Sequence, residues 1–443
     1  MSKNIEDSIW RRDIIGWSLY DFANTIYSMN ILSRYLKLYV VENLGLGDHY
    51  FDIPYAISML LAGLLLPALG VISDYSTKKK TFLFLFTVTC CSSVGLMSIV
   101  PGWASLALIL LFITANFSYE AGQPFYNALL YSVAEGKQAR LVSGVGVAWG
   151  YLGSVFGLLM VLPFVEGNLF GLDVPFLEGG GKAASFLPTA VIFMLFALPV
   201  FLWVREKPVV ERSRPGFFES YRDVWQTLRQ TRKYPGVVRF LIADYFVEDA
   251  VATAILNIGL VCALVLRLPD GTIDLFLIVS TVSAIVGSVV VGYVAKLWSL
   301  RRTIFIVFGG WFVVLVLFVF VKNSVMIWIL GSVVGVLLGG LWTTTRPFLA
   351  ELVPKDELGK FFGLFSLTGR AAATMGPLLW TVVVLLFQPG GATSDGVSGW
   401  LALDSDSIEV LPYRAAILSL AVMVLTGLII FRRVPRGLES TDG

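Results

Sequence analysis

Twelve apolar stretches, separated by short polar breaks, run the length of the chain. They lie at about residues 14–41, 53–73, 81–100, 104–131, 141–165, 188–204, 237–267, 272–296, 302–321, 324–350, 359–387 and 412–431. Each comes close to the ~20 apolar residues that a helix needs to cross a bilayer. The pattern predicts an all-α membrane protein with twelve transmembrane helices. The fourth, seventh, tenth and eleventh stretches carry polar groups, so they are predicted to be less uniform spans.

Lysine and arginine placement sets the expected orientation. All but eight of the 33 basic residues fall at the N-terminus, the even-to-odd loops or the C-terminus. The eight are Arg34, Lys37, Lys182, Arg267, Lys322, Arg346, Arg370 and Arg414. Both termini are therefore expected to be cytoplasmic, which requires an even number of spans. The longest polar stretch, 205–235, lies mid-chain. Within it Phe217, Phe218, Tyr221, Val224, Trp225 and Leu228 recur at helical spacing among basic residues. It reads as an amphipathic linker helix on the inner membrane face, or alternatively as a calmodulin-like target or lipid sensor. The expected domains are 1–204 and 236–443, joined by the linker 205–235.

The two halves also share a pattern. Asp21 and Asp244 are 223 residues apart, as are Gln123-Pro124-Phe125 and Arg346-Pro347-Phe348. Gly70, Asp74 and Lys80 stand in the first half where Gly292, Lys296 and Arg302 stand in the second, at an offset of 222. A 6+6 internal repeat follows, and two six-helix bundles of this kind are the architecture of major facilitator transporters.

Composition removes other classes. Of 443 residues, 56% are hydrophobic and 14% charged, against about 25% charged in soluble domains. With a mean hydropathy of +0.78, a soluble enzyme and a disordered chain are both excluded. A net charge of +2 gives no support to nucleic-acid binding. Cys90, Cys91 and Cys262 lie in apolar stretches and read as small core residues. His49 is the single histidine, and no metal or nucleophile motif is present. No enzymatic activity, cofactor or metal is expected. Met1 to Asp13 lacks the apolar core of a signal peptide, so the first stretch is expected to remain as a helix.

Candidate chemistry lies inside the spans. In the first, Asp21, Asn24, Thr25 and Ser28 form one polar stripe at helical spacing. An aspartate at the centre of a bilayer-spanning helix costs ~2.5–3.5 kcal/mol on insertion scales, so this one should face the bundle interior or a cavity. It contacts substrate or protons, or else makes a structural hydrogen bond to a neighbouring helix. In the fourth, Glu120, Gln123 and Asn127 share a face, and Pro124 frees backbone carbonyls. Glu120 is a candidate proton-coupling residue, the alternative being a buried pair with Arg346. The seventh span holds Asp244, Glu248 and Asp249, candidates for proton coupling or for a structural network with arginines such as Arg370. The candidate substrate contacts are Asp21, Asn24, Gln123, Asn127, Arg346 and Arg370. Arginine suits a carboxylate-bearing ligand because its planar fork binds bidentately. The loop Gly70 to Lys80 matches in part the superfamily signature G-x-x-x-D-[RK]-x-G-[RK]-[RK]. Gly70, Asp74, Lys78 and Lys79 are read there as a conformational latch, the alternative being a positive-inside anchor. Glycines spaced by four at Gly146–Gly157 and Gly331–Gly339 are read as helix-packing surfaces within the molecule.

The run Trp17-Ser-Leu-Tyr20-Asp21-Phe-Ala-Asn24-Thr25 resembles the W-x-x-Y-D-W-A-N-S hallmark of one major facilitator branch, the autophagy-related vacuolar amino-acid effluxers and their bacterial relatives. Phe125 to Leu130, Ser143-Gly144, Gly150 to Gly153, Gly359 to Leu364 and Gly376 to Leu379 resemble further motifs of that branch. Glu248-Asp249-Ala250 and Trp342 depart from its pattern. The resemblance implies secondary transport of an amino acid or related small polar solute by rocking of the two halves. Proton coupling through the carboxylates above is the expected energy source. The expected partners are the solute, protons and membrane lipid, with the chain a monomer and no nucleic acid bound. The lack of an exposed glycosylation sequon favours a bacterial inner membrane, or a vacuolar membrane if the source is eukaryotic. A lipid transporter or scramblase, hinted at by Arg34 and Lys37, is one alternative. A non-transporting receptor on the same scaffold is another.

Overall fold

The computed structural model describes residues 10–75, 78–134, 136–169, 171–173, 178–206, 222, 229, 234–321, 324–353, 358–388 and 405–435. Within these runs the side chains of 66–68, 70–75, 131, 136–141, 235, 324, 358–360, 362–363, 366, 370–372 and 405–407 are not described. The expected linker helix and the loop 388–411 therefore lie almost wholly outside the described residues. Contacts divide the chain into two compact units, Met1–Arg222 and Asp223–Gly443.

The first unit holds α1 (Arg12–Tyr27), α2 (His49–Tyr75), α3 (Lys79–Met97), α4 (Ser105–Val133), α5 (Gly136–Glu166) and α6 (Phe186–Trp203). A two-residue hairpin, β1 (Asn168–Leu169) against β2 (Leu172–Asp173), follows α5. The second unit holds α7 (Pro235–Leu260), α8 (Asp270–Leu297), α9 (Leu300–Phe320), α10 (Ser324–Leu352), α11 (Leu358–Phe387) and α12 (Ser405–Arg432). Among the described residues, ten helices, α3 to α12, are long and apolar enough to cross a membrane. The apolar part of α2, His49–Leu65, is shorter.

The first helical run is irregular. α1 continues through π-helical turns at Ser28–Tyr35 and Tyr39–Asn43, joined by a short α turn at Leu36–Leu38. Polar side chains in this stretch reach neighbouring helices. Asn30 donates to the Gly157 carbonyl of α5 at 3.2 Å and to Thr189 Oγ1 of α6 at 3.1 Å. π-turns of this length are rare and frequent at functional sites.

The same packing order recurs in each unit. α1 packs on α5 and α6, α2 on α4, and α3 on α4 and α6; α7 packs on α11 and α12, α8 on α10, and α9 on α10 and α12. The recurrence agrees with an internal repeat. Close approach is achieved by glycine. A Cβ on Gly153 would collide with the Phe22 carbonyl of α1, and one on Gly157 would stand 3.0 Å from Ile26 Cγ2. On α10, a Cβ on Gly335 would meet the Ser280 carbonyl of α8, and one on Gly339 the Ala284 carbonyl. Both glycine stripes thus serve helix contacts inside their own unit.

Two charges expected at the outer end of the first span are buried. Lys37 Nζ lies 2.7 Å from both Asp52 oxygens of α2, and Arg34 is buried as well. Removing one member of a buried pair leaves the other uncompensated, which costs about 3–5 kcal/mol. Lys37→Met is therefore expected to lower the Tm of the solubilised protein sharply. Lys37→Met with Asp52→Leu should recover most of the loss. Equal Tm values for wild type and the single variant would contradict a buried pair.

Candidate functional site

In the first unit, the motif residues of α1 divide into anchors and a polar stripe. Trp17 stacks on Tyr126 of α4 with ring centroids 4.8 Å apart, and its indole N–H donates to the Tyr126 carbonyl at 3.2 Å. Tyr20 stacks on the same ring, and its hydroxyl pairs with Thr87 Oγ1 of α3 at 2.9 Å. These contacts fix the rotation of α1. They turn Asp21 towards Gly146 of α5, where its Oδ2 lies 3.3 Å from the point a Cβ would occupy. Thr25 Oγ1 donates to the Gly150 carbonyl at 2.6 Å, which ties the stripe to the same helix.

Asp21 and Glu120 are both half-buried, and both act electrostatically on Tyr119. Tyr119 also packs on Tyr27, with centroids 4.6 Å apart, while the Ser28 hydroxyl donates to the Thr25 carbonyl of its own helix at 3.1 Å. Asp21 and Glu120 thus stand near one tyrosine. Asn24 is buried, and its Oδ1 has no hydrogen-bond partner among the described residues. Gln123 is half-buried and Asn127 exposed.

A buried polar chain here had no counterpart among the expected site residues. The Tyr27 hydroxyl donates to Asn116 Oδ1 at 3.4 Å, and Asn116 Nδ2 donates to Ser58 Oγ at 2.7 Å. Asn116 is completely buried. Its position inside an apolar run was the signal for a buried polar partner.

In the second unit, α7 carries Asp244 and Asp249 fully inside, with Glu248 half-buried. Asp249 Oδ1 accepts the backbone N–H of Gly376 on α11 at 2.8 Å, while its Oδ2 has no partner among the described residues. Asp244 Oδ1 and Thr253 Oγ1 are likewise unpartnered. Asp244 and Glu248 lie one helical turn apart on α7. Arg346 of α10 is exposed and makes no direct ion pair with Glu248. The Arg370 side chain lies outside the described residues.

The glycines of α5 and α11 fix which residues correspond in the two halves. Gly146 faces Asp21 as Gly369, 223 residues on, faces Glu248, whose Oε2 stands 2.9 Å from the added Cβ. Gly153 faces the Phe22 carbonyl as Gly376 faces Asp249. By packing, the counterpart of Asp21 is Glu248, one helical turn beyond the Asp244 that the 223-residue spacing indicated.

The latch loop is described in part. The side chain of Asp74 and residues 76–77 lie outside the described residues, Lys78 is exposed, and Lys79 is half-buried. Lys80 Nζ donates to the Val204 carbonyl at 2.7 Å, and its backbone N–H donates to Glu206 Oε1 at 2.7 Å. Those bonds hold the start of α3 to the end of α6. Arg34 and Lys37, buried with Lys37 bound to Asp52, present no headgroup contact, which removes the feature that suggested lipid scrambling.

A family model described as vacuole effluxer Atg22 like matches residues 131–385, and one for the major facilitator superfamily matches residues 5–158. The chain is similar to the uncharacterized MFS-type transporter YxiO of Bacillus subtilis, 26% identical over 90% of this chain and 94% of that one. It is also similar to autophagy-related protein 22 of Kluyveromyces lactis, 24% identical over 83% and 87% of the two chains. In fold it is similar to a bacterial homologue of the human lysosomal transporter Spinster. That crystal structure, inward-facing and unoccupied, gives a TM-score of 0.70 at 12% identity, covering 97% of each chain.

Proposed function

Because the chain belongs to the vacuole effluxer Atg22-like family, and is thus a membrane-spanning major facilitator transporter rather than an enzyme, we propose that it moves a small polar solute by alternating access. The solute is an amino acid or a related compound, and its movement is coupled to protons. The chain crosses the membrane twelve times with both termini cytoplasmic, and works as a monomer. The membrane is a bacterial inner membrane, or a vacuolar one if the source is eukaryotic.

The observation that carries this proposal is the carboxylate cluster of α7. Asp244 and Asp249 are buried in a membrane-crossing helix, and each leaves an oxygen without a partner among the described residues. A purely structural network satisfies its buried polar atoms. Intramembrane carboxylates that are left incompletely paired fit proton or substrate exchange. A carboxylate that trades protein for water during a transport cycle changes its proton affinity as it does so. Glu120 has the corresponding role in the first half. Asp21, Asn24, Gln123 and Asn127 in the first half, and Arg346 and Arg370 in the second, contact the solute. Gly70, Asp74, Lys78 and Lys79 form the conformational latch. The solute class is supported by the resemblance of the Trp17–Thr25 run to the vacuolar amino-acid effluxers.

Ligand-induced stabilisation tests the class. A ligand at about 100 times its Kd stabilises the folded state by about 2.7 kcal/mol. Purified protein heated with amino acids, short peptides, nucleosides and sugars should show a raised Tm with amino acids. Arg346→Ala should abolish that rise while keeping the unliganded Tm. Stabilisation by another solute class alone would overturn the amino-acid assignment.

A further inference from the structure

Three helix ends meet at one edge of the second unit. α8 ends at Leu297, α9 begins at Leu300 and α12 ends at Arg432. Between them is an open groove of about 510 Å³, lined by Trp298, Arg301, Arg302, Phe305, Ile306 and Arg432. Among the described residues, the lining carries three guanidinium groups and no carboxylate. Further positive charge stands close by, since Arg239 donates to the carbonyl of Arg433, the residue after Arg432.

The arginines are unequally engaged. Arg301 is a strut: its Nε donates to the Val434 carbonyl and an Nη to the Arg432 carbonyl, both at 2.9 Å. Arg302 and Arg432 are exposed, and their side chains bond no described residue. Two uncommitted guanidinium groups beside a third repel one another, and an anion between them reverses that energy. Their planar forks suit the paired oxygens of a phosphate. The first turn of α9 adds the positive end of a helix dipole.

The rest of the groove is apolar and open. Trp298 is 59% exposed, Phe305 42% and Ile306 52%. On a membrane-crossing helix such residues meet acyl chains, and an exposed tryptophan at the helix end fits the headgroup level. Basic pockets of this kind between membrane helices on the cytoplasmic side are suited to anionic headgroups. The distribution of basic residues assigns this edge to the cytoplasm. None of the α7 carboxylates lines the groove.

We propose that this groove binds the phosphate of an anionic phospholipid, with the headgroup held by Arg302 and Arg432 and the acyl chains laid along Phe305 and Ile306. It is a lipid site separate from the solute contacts.

Native mass spectrometry of the detergent-solubilised full chain tests the proposal, with phosphatidylglycerol, phosphatidylcholine and inorganic phosphate as probes. Wild type should retain phosphatidylglycerol in preference to phosphatidylcholine. Arg302→Gln with Arg432→Gln should reduce that retention at least about tenfold, the scale of losing charge-assisted hydrogen bonds, at an unchanged unliganded Tm. Arg302→Lys with Arg432→Lys should keep most of it. Equal retention of the two lipids by wild type, or undiminished phosphatidylglycerol on the glutamine variant, would overturn the proposal. Displacement of the lipid by millimolar inorganic phosphate would also overturn it, in favour of a soluble-anion site.

Discussion

Glu248→Gln is expected to separate solute exchange from proton-driven accumulation. Glu248 stands in the second half where Asp21 stands in the first, each against a glycine of the helix packed beside it. It is half-buried, one helical turn from Asp244. Glutamine keeps its length and hydrogen bonding but binds no proton. Exchange of labelled for unlabelled solute across a liposome should survive the change. Accumulation driven by a pH gradient should fall by about 5–150-fold, the usual span of a coupling free energy between two sites. The neighbouring Asp249 is expected to behave differently, because its Oδ1 holds the backbone N–H of Gly376, one residue before Pro377. Asp249→Ala removes that buried hydrogen bond and should cost about 1–3 kcal/mol of stability. Asp249→Asn, which keeps an acceptor, should cost less. Loss of exchange and accumulation together in Glu248→Gln, in well-folded protein, would make Glu248 a solute contact instead of a proton carrier.

The second large effect is expected at the glycine seams. Gly335→Leu drives a side chain into the Ser280 carbonyl and Ser283 Cβ of α8, the latter already 2.8 Å from an added Cβ. Gly153→Leu does the same against the Phe22 carbonyl of α1. Backbone cannot yield as a side-chain tip can, so each helix pair must separate. Overpacking of this kind costs at least about 1–3 kcal/mol. Gly144→Ala and Gly309→Ala are the controls, since an added Cβ at either meets nothing within 4 Å. Tm values of the solubilised variants should fall for the first pair and hold for the second. Equal Tm values across all four would contradict close helix contact at these positions.

Hydropathy alone located the helices well where a span is uniform. The third stretch, expected at 81–100, is helical from Lys79 to Met97, and the ninth, expected at 302–321, is helical from Leu300 to Phe320. The π turns themselves left no trace in the pattern, because a widened helical turn is set by bonds such as Asn30 to Gly157 across helices. Lys37 and Asp52 lie 15 residues apart on different helices, so no periodicity could pair them. The repeat was legible as residue identities at a constant spacing. Its register was not, since the one-turn shift that matches Asp21 with Glu248 depends on which face meets Gly146 and Gly369. The Trp17–Thr25 run was legible as a motif, but the stacking of Trp17 and Tyr20 on Tyr126 that aims Asp21 required the packed helices.

Proton-coupled solute transport is tested most directly in proteoliposomes that hold the purified chain and a trapped pH dye. An amino-acid panel is added at zero membrane potential with no initial pH gradient. The account predicts that at least one amino acid moves protons across the membrane in step with its own uptake, and that Glu248→Gln removes the proton signal. Amino-acid uptake with no proton movement in the wild type would contradict it.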